Sequence, residues 1–385
     1  MWLFAFFYPL PLQGVLFLKK FLKSGFTTGT CVAAATKAAL LAHKGSYLNT
    51  VNIQALSGEI LSIPIEHVEK KSENEIFAAV RKDSGDDPDI TNGIIIEVKV
   101  LISAQHKDII IKAGTGVGIV TRPGLAAKVG QPAVNPGPRK MITNVVKEIL
   151  KEEYGCEITI IIPRGVELAK KTLNPILGIE GGLSIIGTSG IVRPMSEEAF
   201  KDSLAPQIDV AKAKGLDTLI FVPGKIGYDA CIDNFGLRAD AIVQTSNFIG
   251  FMLESAAERK IQNILFVGHL GKLIKVAGGI FHTHNRVADA RLEILAVYAA
   301  SLGASTGVVR DILNTTTTEA AIEILEENHI EGIYDLIAQR ISYRAMRYVY
   351  NEICIGAVIT SLDGTILGID ENAKKIGGVL GWNIK

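Results

Sequence analysis

Apolar positions along the chain follow two rhythms that change near Gly155. Before it, short runs at 51–55, 60–65, 76–80, 94–102 and 108–112 are rich in valine and isoleucine and are broken by turn formers, which predicts strands. Ser57-Gly58 between the first two runs marks a hairpin. Residues 31–42, alanine-rich with few bulky side chains, and residues 141–154 read as helices. Thr28 or Thr30 is placed to cap the first of them, leaving free amides that face whatever lies in front. This half reads as an α+β unit over 24–155. After Gly155, compact apolar runs at 157–162, 183–186, 218–222, 241–244 and 264–267 suit strands buried on both faces. Helical segments at 196–214, 248–260 and 289–301 lie between them. The expected arrangement over 156–344 is therefore an α/β unit of parallel βαβ repeats, with helices on both faces of its sheet. Thr316-Thr317-Thr318-Glu319 has capping-box spacing and should start a helix ending near Asn328. Two last runs, 353–360 and 365–368, flank Asp363-Gly364 as a hairpin. This C-terminal segment, 345–385, is expected to return to the first unit.

Three loops share one design, an apolar strand followed by glycines and then a helix: Gly187-Thr188-Ser189-Gly190, Pro223-Gly224-Lys225-Ile226-Gly227 and Gly268-His269-Leu270-Gly271-Lys272. In a doubly wound sheet such loops gather at the carboxyl edge, where ligands bind. Tight turns alone would explain the glycines, but not the donors Arg193, Lys225, His269 and Lys272 beside them. The third loop leads into Phe281-His282-Thr283-His284-Asn285-Arg286, and polar groups packed so densely are costly to hold unless they find partners. Residues 268–289 therefore read as an anion-binding site. His282 and His284 lack the spacing of a zinc site and suit hydrogen bonding beside a ligand. Gly114-Thr115-Gly116-Val117-Gly118 resembles a nucleotide fingerprint, but Pro123 follows where a helix is required, so that reading fails on context. Asp83-Ser84-Gly85-Asp86-Asp87-Pro88-Asp89 concentrates acids in one loop. Its carboxylates either cap a solvated turn or hold ribose hydroxyls, a sulfonium charge or a proton.

At 385 residues the chain exceeds the ~250–300 at which single cores stop growing, which supports two units. Lys+Arg and Asp+Glu both number 40, so a general nucleic-acid surface is not expected, although local basic patches can still hold carboxylates. Cys31, Cys156, Cys231 and Cys354 are scattered without a CxxC pair, a pattern that fits a reducing cytoplasm. Residues 1–18 are strongly apolar, yet Pro9, Pro11, Gln13 and Gly14 interrupt them and the lysines follow rather than precede them. A secretory signal carries its charge first, and a spanning helix needs ~20 predominantly apolar residues. Residues 1–23 are read as an extension outside the core, with no membrane association expected.

The ordered set of motifs resembles one family. The residues that carry the likeness are Ser24-Gly25-Phe26-Thr27-Thr28-Gly29-Thr30-Cys31, Lys82 through Asp89, and Thr121-Arg122-Pro123-Gly124. With them go Gly130-Gln131-Pro132-Ala133-Val134-Asn135-Pro136, Gly187 through Ser196, and Gly268 through Asp289. Together they are similar to the CbiD family, the cobalt-precorrin-5B C1-methyltransferases of anaerobic cobalamin biosynthesis. The chain departs from the family at Asn92, where a histidine is frequent. The resemblance implies an α+β domain joined to a Rossmann-like three-layer domain. It also implies methyl transfer from S-adenosylmethionine to a cobalt tetrapyrrole, with the cobalt belonging to the substrate and no protein-bound metal. Under it, Arg122, Arg139, Arg193, Lys272 and Arg286 bind the tetrapyrrole carboxylates, with Thr27 and Thr28 also facing the substrate. Asp86 and Asp87 stabilise the reacting ring or hold the donor, and His269, His282 and His284 assist proton balance. Gly187, Thr188, Ser189, Gly190, Gly268 and Gly271 are the first choice for the donor, and the loop 114–118 the second. The partners implied are the tetrapyrrole, neighbouring enzymes of the pathway and a second copy of the chain, all in the cytoplasm. The alternatives are a corrinoid carrier without catalysis, which would not bind the methyl donor, and a dinucleotide-dependent oxidoreductase.

Overall fold

Two five-stranded sheets organise the chain. A computed structural model describes residues 22–151 and 153–382, so the expectation for the apolar segment 1–18 lies outside the described residues. The first sheet runs His67–Lys70, Glu75–Arg81, Ile95–Ser103, Gly155–Ile161, Ile109–Ala113, antiparallel throughout except for the last pair. In Ile95–Ser103 the buried positions are Ile96, Val98, Val100 and Ile102, a period of two that leaves one face to be covered. The helices Thr28–His43 and Pro136–Leu150 belong to the same apolar cluster as that face. Thr28–His43 is buried nearly all round, which its alanines permit because they carry no bulk to clash with a close neighbour. Pro136–Leu150 starts five residues before the expected 141, since proline is well tolerated in a first helical turn. The hairpin Thr50–Gln54 with Ile60–Pro64 forms as expected.

The second sheet runs Ile242–Gln244, Thr218–Val222, Asn263–His269, Cys354–Thr360, Ile366–Ile369. Its first four strands are parallel and the last is antiparallel. Phe221, Phe266 and Ile355 face the helices Ile249–Glu258, Leu270–Ala277 and Ile333–Tyr348. Ile220, Leu265 and Val358 face residues of the segment 225–241 and the helix Glu371–Val379. The mixed α/β class and the covering of both faces agree with the expectation.

Three expectations are corrected. Gly155–Ile161 does not open the second sheet but completes the first, pairing with Ile95–Ser103 and Ile109–Ala113. Glu157 and Thr159 alternate there with buried Cys156, Ile158 and Ile160, the pattern of a strand covered on one face only. Of the run 183–186, only Leu183 joins a strand, Gly182–Leu183, which pairs with Gly116–Val117 outside the parallel sheet. The C-terminal segment does not return to the first sheet, because Cys354–Thr360 is buried at every position after Cys354 and needs cover on both faces. The segment 196–214 also divides, into Glu197–Leu204 and Pro206–Ala213, at a proline that lacks the amide to continue the first helix.

One ion pair fixes the loop that joins these parts. Lys82 has only 1% of its side chain exposed, and its Nζ donates to Asp89 Oδ2 at 2.6 Å. Asp89 Oδ1 accepts from the Thr91 amide at 2.7 Å and the Thr91 hydroxyl at 2.6 Å. Burial resists ionisation of Asp89, but Lys82 and Thr91 outweigh it and hold the carboxyl below its ordinary pKa. Asp89→Asn should therefore cost roughly 3 kcal/mol at neutral pH by leaving the Lys82 charge against a neutral amide. A carboxyl with a depressed folded-state pKa stabilises fully above its unfolded value and loses that contribution as pH falls through the folded value. The gap between wild type and Asp89→Asn in urea midpoint should thus be open at pH ~7 and close as pH is lowered from ~4 toward ~2. A gap unchanged over that range would rule out the pairing.

Candidate functional site

The order of strands in the second sheet selects one place for a ligand. Thr218–Val222 is first in chain order, with the second strand, Ile242–Gln244, on one side and the third, Asn263–His269, on the other. Connections leaving in opposite directions open a crevice at the carboxyl ends of the strands, where doubly wound sheets take their ligands. Pro223-Gly224-Lys225, Thr245-Ser246-Asn247 and Gly268-His269-Leu270 reach that edge. The helix Glu197–Leu204 lies beside it: the Phe200 ring is 5.7 Å from Phe248, and Phe248 is 5.1 Å from His282. Leu173, Phe200, Leu204, Pro223, Gly224, Gln244 and Ser246 line a pocket here of about 170 Å³.

Two lysines beside this crevice bond to neutral oxygens. Lys272 is half-buried and donates to the side-chain oxygen of Asn247. Burial, and then the neighbouring Arg291 charge, pull its pKa below the ordinary lysine value. One turn further on, Lys275 is fully buried, and its Nζ donates to the Thr283 carbonyl at 3.0 Å and to Asn285 Oδ1 at 2.7 Å. Among the described residues neither lysine has a carboxylate within 4.0 Å. Lys275 thus pins the irregular loop 281–286, which also bonds to the edge through Thr283 N to Asn247 O at 2.9 Å and Gly250 N to Phe281 O at 3.1 Å. The loop presents His284 and Arg286 to solvent, with His284 Nδ1 accepting from the Arg286 amide at 3.1 Å and leaving Nε2 open. His282 Nε2 lies 3.8 Å from Glu197 Oε1.

His269 is held more tightly. It caps the helix Leu270–Ala277, its Nδ1 accepting from the Gly271 amide at 3.2 Å. A nitrogen that accepts an N–H carries no proton, so Nε2 bears the hydrogen and donates it to Glu319 Oε1 at 2.5 Å. Glu319 is free to do this because Thr317, not Thr316, caps the helix Thr318–Glu327.

The remaining expected residues spread over three places. Asp86 Oδ2 accepts from the Lys23 amide at 2.7 Å, and Asp87 Oδ2 accepts from the Met195 amide at 2.9 Å. Both acids therefore fasten backbone, one to the N-terminal segment and one to the stretch that leads into Glu197–Leu204. Asn92 takes part in the same loop, its Oδ1 accepting from the Ser84 amide at 2.9 Å. Arg193 is exposed and lies 4.0 Å from Glu59. Thr27 and Thr28 are buried at the start of Thr28–His43: Thr27 Oγ1 accepts from the Thr30 amide, and Thr28 Oγ1 accepts from the Ile186 amide at 2.9 Å. Gly187-Thr188-Ser189-Gly190 closes over this same helix start, which corrects its expected place on the edge of the parallel sheet. A Cβ at Gly187 would meet Thr27 Oγ1 at 2.3 Å, and the Thr30 hydroxyl donates to the Gly190 carbonyl at 2.6 Å. Arg139 is in the first turn of Pro136–Leu150, whose Gly137 packs under the Gly187 carbonyl. Arg122 stands apart, its guanidinium 3.5 Å from the Ile176 carbonyl.

Gly268 and Gly271 are at the edge, but protein already fills the space in front of them. A Cβ at Gly268 would meet Pro223 at 3.0 Å, and one at Gly271 would meet His269 and Thr318 at 3.1 Å. The loop 114–118 likewise packs on the protein: a Cβ at Gly116 would meet the Ile162 carbonyl at 1.9 Å. Gly224 is the open one, with nothing within 4 Å of its Cβ position. Asn247, Lys275, Glu197 and Glu319 complete the site, and sequence reasoning missed all four. Lys275 carries a readable signal, a charge placed directly between Ile274 and Val276. The other three are found only through their partners.

Residues 17–194 match the family model described as CbiD, and residues 282–371 match the one described as CbiD, C-terminal domain. The chain is 49% identical over 364 residues to the cobalt-precorrin-5B C(1)-methyltransferase of Moorella thermoacetica, covering 94% of this chain and 99% of that protein. It is also 49% identical over 348 residues to the protein of that name from Methanocaldococcus jannaschii, covering 90% and 96%. Among solved structures, a cobalamin biosynthesis protein (cbiD) from Archaeoglobus fulgidus is 26% identical, with 69% and 83% of the two chains covered and a TM-score of 0.37.

If Lys275 serves the loop rather than the core, Lys275→Met should separate the two. A buried charge contributes little to stability relative to an apolar side chain of similar length, so the loss should stay under about 2 kcal/mol. Deuterium uptake at 281–286 should nonetheless rise several-fold. A variant that unfolds globally, or one whose loop keeps its protection, would contradict the assignment.

Proposed function

The chain belongs to the CbiD family, and from that premise we propose that it methylates C1 of cobalt-precorrin-5B with S-adenosylmethionine, giving cobalt-precorrin-6A in anaerobic cobalamin biosynthesis. The 49% identity, spread over 99% of a relative that bears the methyltransferase name, supports the activity. Within the structure, the reading rests on cations at the carboxyl edge that have no carboxylate within 4.0 Å among the described residues. A polycarboxylate tetrapyrrole supplies what Lys272 and Arg286 lack, while buried Lys275 holds the loop that carries Arg286. In this reading the second sheet and its two helical layers are the Rossmann-like domain of the family.

The donor supplies an electrophilic methyl: a ring carbon forms the new C–C bond, the C–S electrons stay on sulfur as a neutral thioether, and the macrocycle sheds the acquired charge as a proton. The protein's task is placement, and correct orientation can contribute ~7–11 kcal/mol. Lys272 exchanges the neutral Asn247 oxygen for a substrate carboxylate, and Arg286 offers a planar fork to another. Met195, Phe200 and Val287 are exposed apolar side chains and, in this reading, cover the apolar face of the ring. His284, with Nε2 open at the rim, receives the proton. His269, with both nitrogens engaged, positions the helix Leu270–Ala277 and hence Lys272. Asp86 and Asp87 hold the segments around the crevice through the Lys23 and Met195 amides.

Anaerobic incubation with cobalt-precorrin-5B and methyl-labelled S-adenosylmethionine should add one labelled methyl to the tetrapyrrole, at C1 by NMR. Lys272→Met with Arg286→Ala should raise KM for the tetrapyrrole roughly tenfold while kcat stays within about threefold, the signature of lost ground-state binding. Tetrapyrrole binding without label transfer would instead identify a corrinoid carrier.

A further inference from the structure

A second cavity, of about 550 Å³, lies along the free edge of the strand Ile242–Gln244, and nothing above gives it a role. Its size falls within the ~300–1,000 Å³ of small-molecule sites, unlike the 170 Å³ pocket at the carboxyl edge. Ile176, Val210 and Ile242 give it apolar walls, and the half-buried Tyr228 adds an aromatic ring. These suit a flat heteroaromatic base. Three charged groups, Arg122, Lys214 and Asp240, complete the lining. Arg122 has no carboxylate within 4.0 Å among the described residues, while Asp240 is held by Arg238 at 2.6 Å and lies 3.5 Å from Lys214. A ligand with a planar base, hydroxyls for a carboxylate and a carboxylate for a guanidinium matches this set. A nucleoside carrying an amino-acid tail has all three.

The cavity also leads to the crevice. Gln207 lines it and bonds Gln244 twice, donating to its carbonyl at 3.1 Å and accepting from its amide at 2.9 Å. Gln244 in turn lines the smaller pocket together with Phe200, which reaches His282 through Phe248. Large cavity, small pocket and cationic crevice thus follow one another across the junction of the two sheets.

We propose that the groove beside Ile242–Gln244 is the subsite of the methyl donor, and that the sulfonium methyl is directed from it toward the pocket at Gly224. This rests on the methyltransferase reading and moves the donor away from the glycines at 187–190 and 268–271. The test is calorimetric titration of the full chain with S-adenosylhomocysteine, beside absorbance titration with cobalt-precorrin-5B. Ala239→Trp, at an exposed position on the cavity lining, should weaken S-adenosylhomocysteine binding at least tenfold and leave tetrapyrrole binding unchanged. Tyr228→Leu should weaken it in the same direction, with thermal melting showing both variants folded. Wild-type affinity for S-adenosylhomocysteine in both folded variants would overturn the location while leaving the activity standing. Tetrapyrrole binding by a wild-type chain that takes up no S-adenosylhomocysteine would overturn the methyltransferase reading itself, and the subsite with it.

Discussion

A lysine with 1% of its side chain exposed has no water around its ammonium, and the placement of the first unit around the site follows from the carboxylate that Lys82 finds instead. Asp89 supplies it from seven positions further along, which closes the chain between them into a tight loop. With that loop closed, the Asp83 carbonyl meets the Phe26 amide, Asp86 meets Lys23 and Asp87 meets Met195. The clearances leave no slack, since a Cβ at Gly25 would lie 2.2 Å from the Ser84 backbone. This loop thus adds to the direct pairing of Gly25-Phe26 with Ile191-Val192 in registering the start of Thr28–His43 against the stretch that leads into Glu197–Leu204. Phe200, and through it the wall of the crevice, inherits that registration.

The second buried lysine is treated in the opposite way. Lys275 has a carbonyl and an amide oxygen where Lys82 has a carboxylate. Neutral oxygens satisfy its hydrogens but do not cancel its charge, and the same holds for Lys272 against Asn247. Burial lowers the pKa of both, a cost that an apolar residue would not carry. Asp289 offsets part of the Lys275 charge, and in the proposed reading the positive charge that remains at the carboxyl edge of the parallel sheet receives a substrate carboxylate. The oxygens already in place mean that binding a carboxylate requires little rearrangement of the loop.

The fold was legible where local period decides, and illegible where the partner is distant. The alternation in Ile95–Ser103 and the unbroken apolar run in Asn263–His269 correctly separate a sheet with one covered face from a sheet with two. The same logic, applied residue by residue, assigns Gly155–Ile161 to the first kind through Glu157 and Thr159, although the run as a whole looks apolar. For glycines the sequence offers no such test. Gly187, Gly224 and Gly268 sit in similar contexts, yet one covers a hydroxyl, one packs on a proline and only Gly224 faces open space. A close approach is a property of two segments, and one of them lies far along the chain. The site behaves likewise. The cluster 268–289 was readable because its polar groups are contiguous, whereas Glu319 reaches His269 across fifty positions. The acids of 83–89 looked chemical in isolation, but Asp86 and Asp87 prove to accept from backbone amides, and Asp83 and Asp89 to pair with Lys23 and Lys82.

In-line methyl transfer needs two reactants that approach one carbon from opposite sides, and a single pocket cannot orient both. The strand order meets that need directly. The carboxyl ends of Thr218–Val222 and Asn263–His269 open upward from the sheet, while Ile242–Gln244, being the edge strand, leaves its flank open sideways. The two openings meet at Gln244 and Phe200, between the apolar groove and the cationic rim. In the proposed arrangement, the lysine-rich rim at one opening and the aromatic ring of Tyr228 at the other keep a polycarboxylate and a nucleoside from exchanging places. Specificity of this kind comes from the wrong ligand leaving groups unpaired as much as from the right one satisfying them. The glycine at their meeting point, Gly224, is the one on this edge with room in front of it, as a carbon in transit between the two would require.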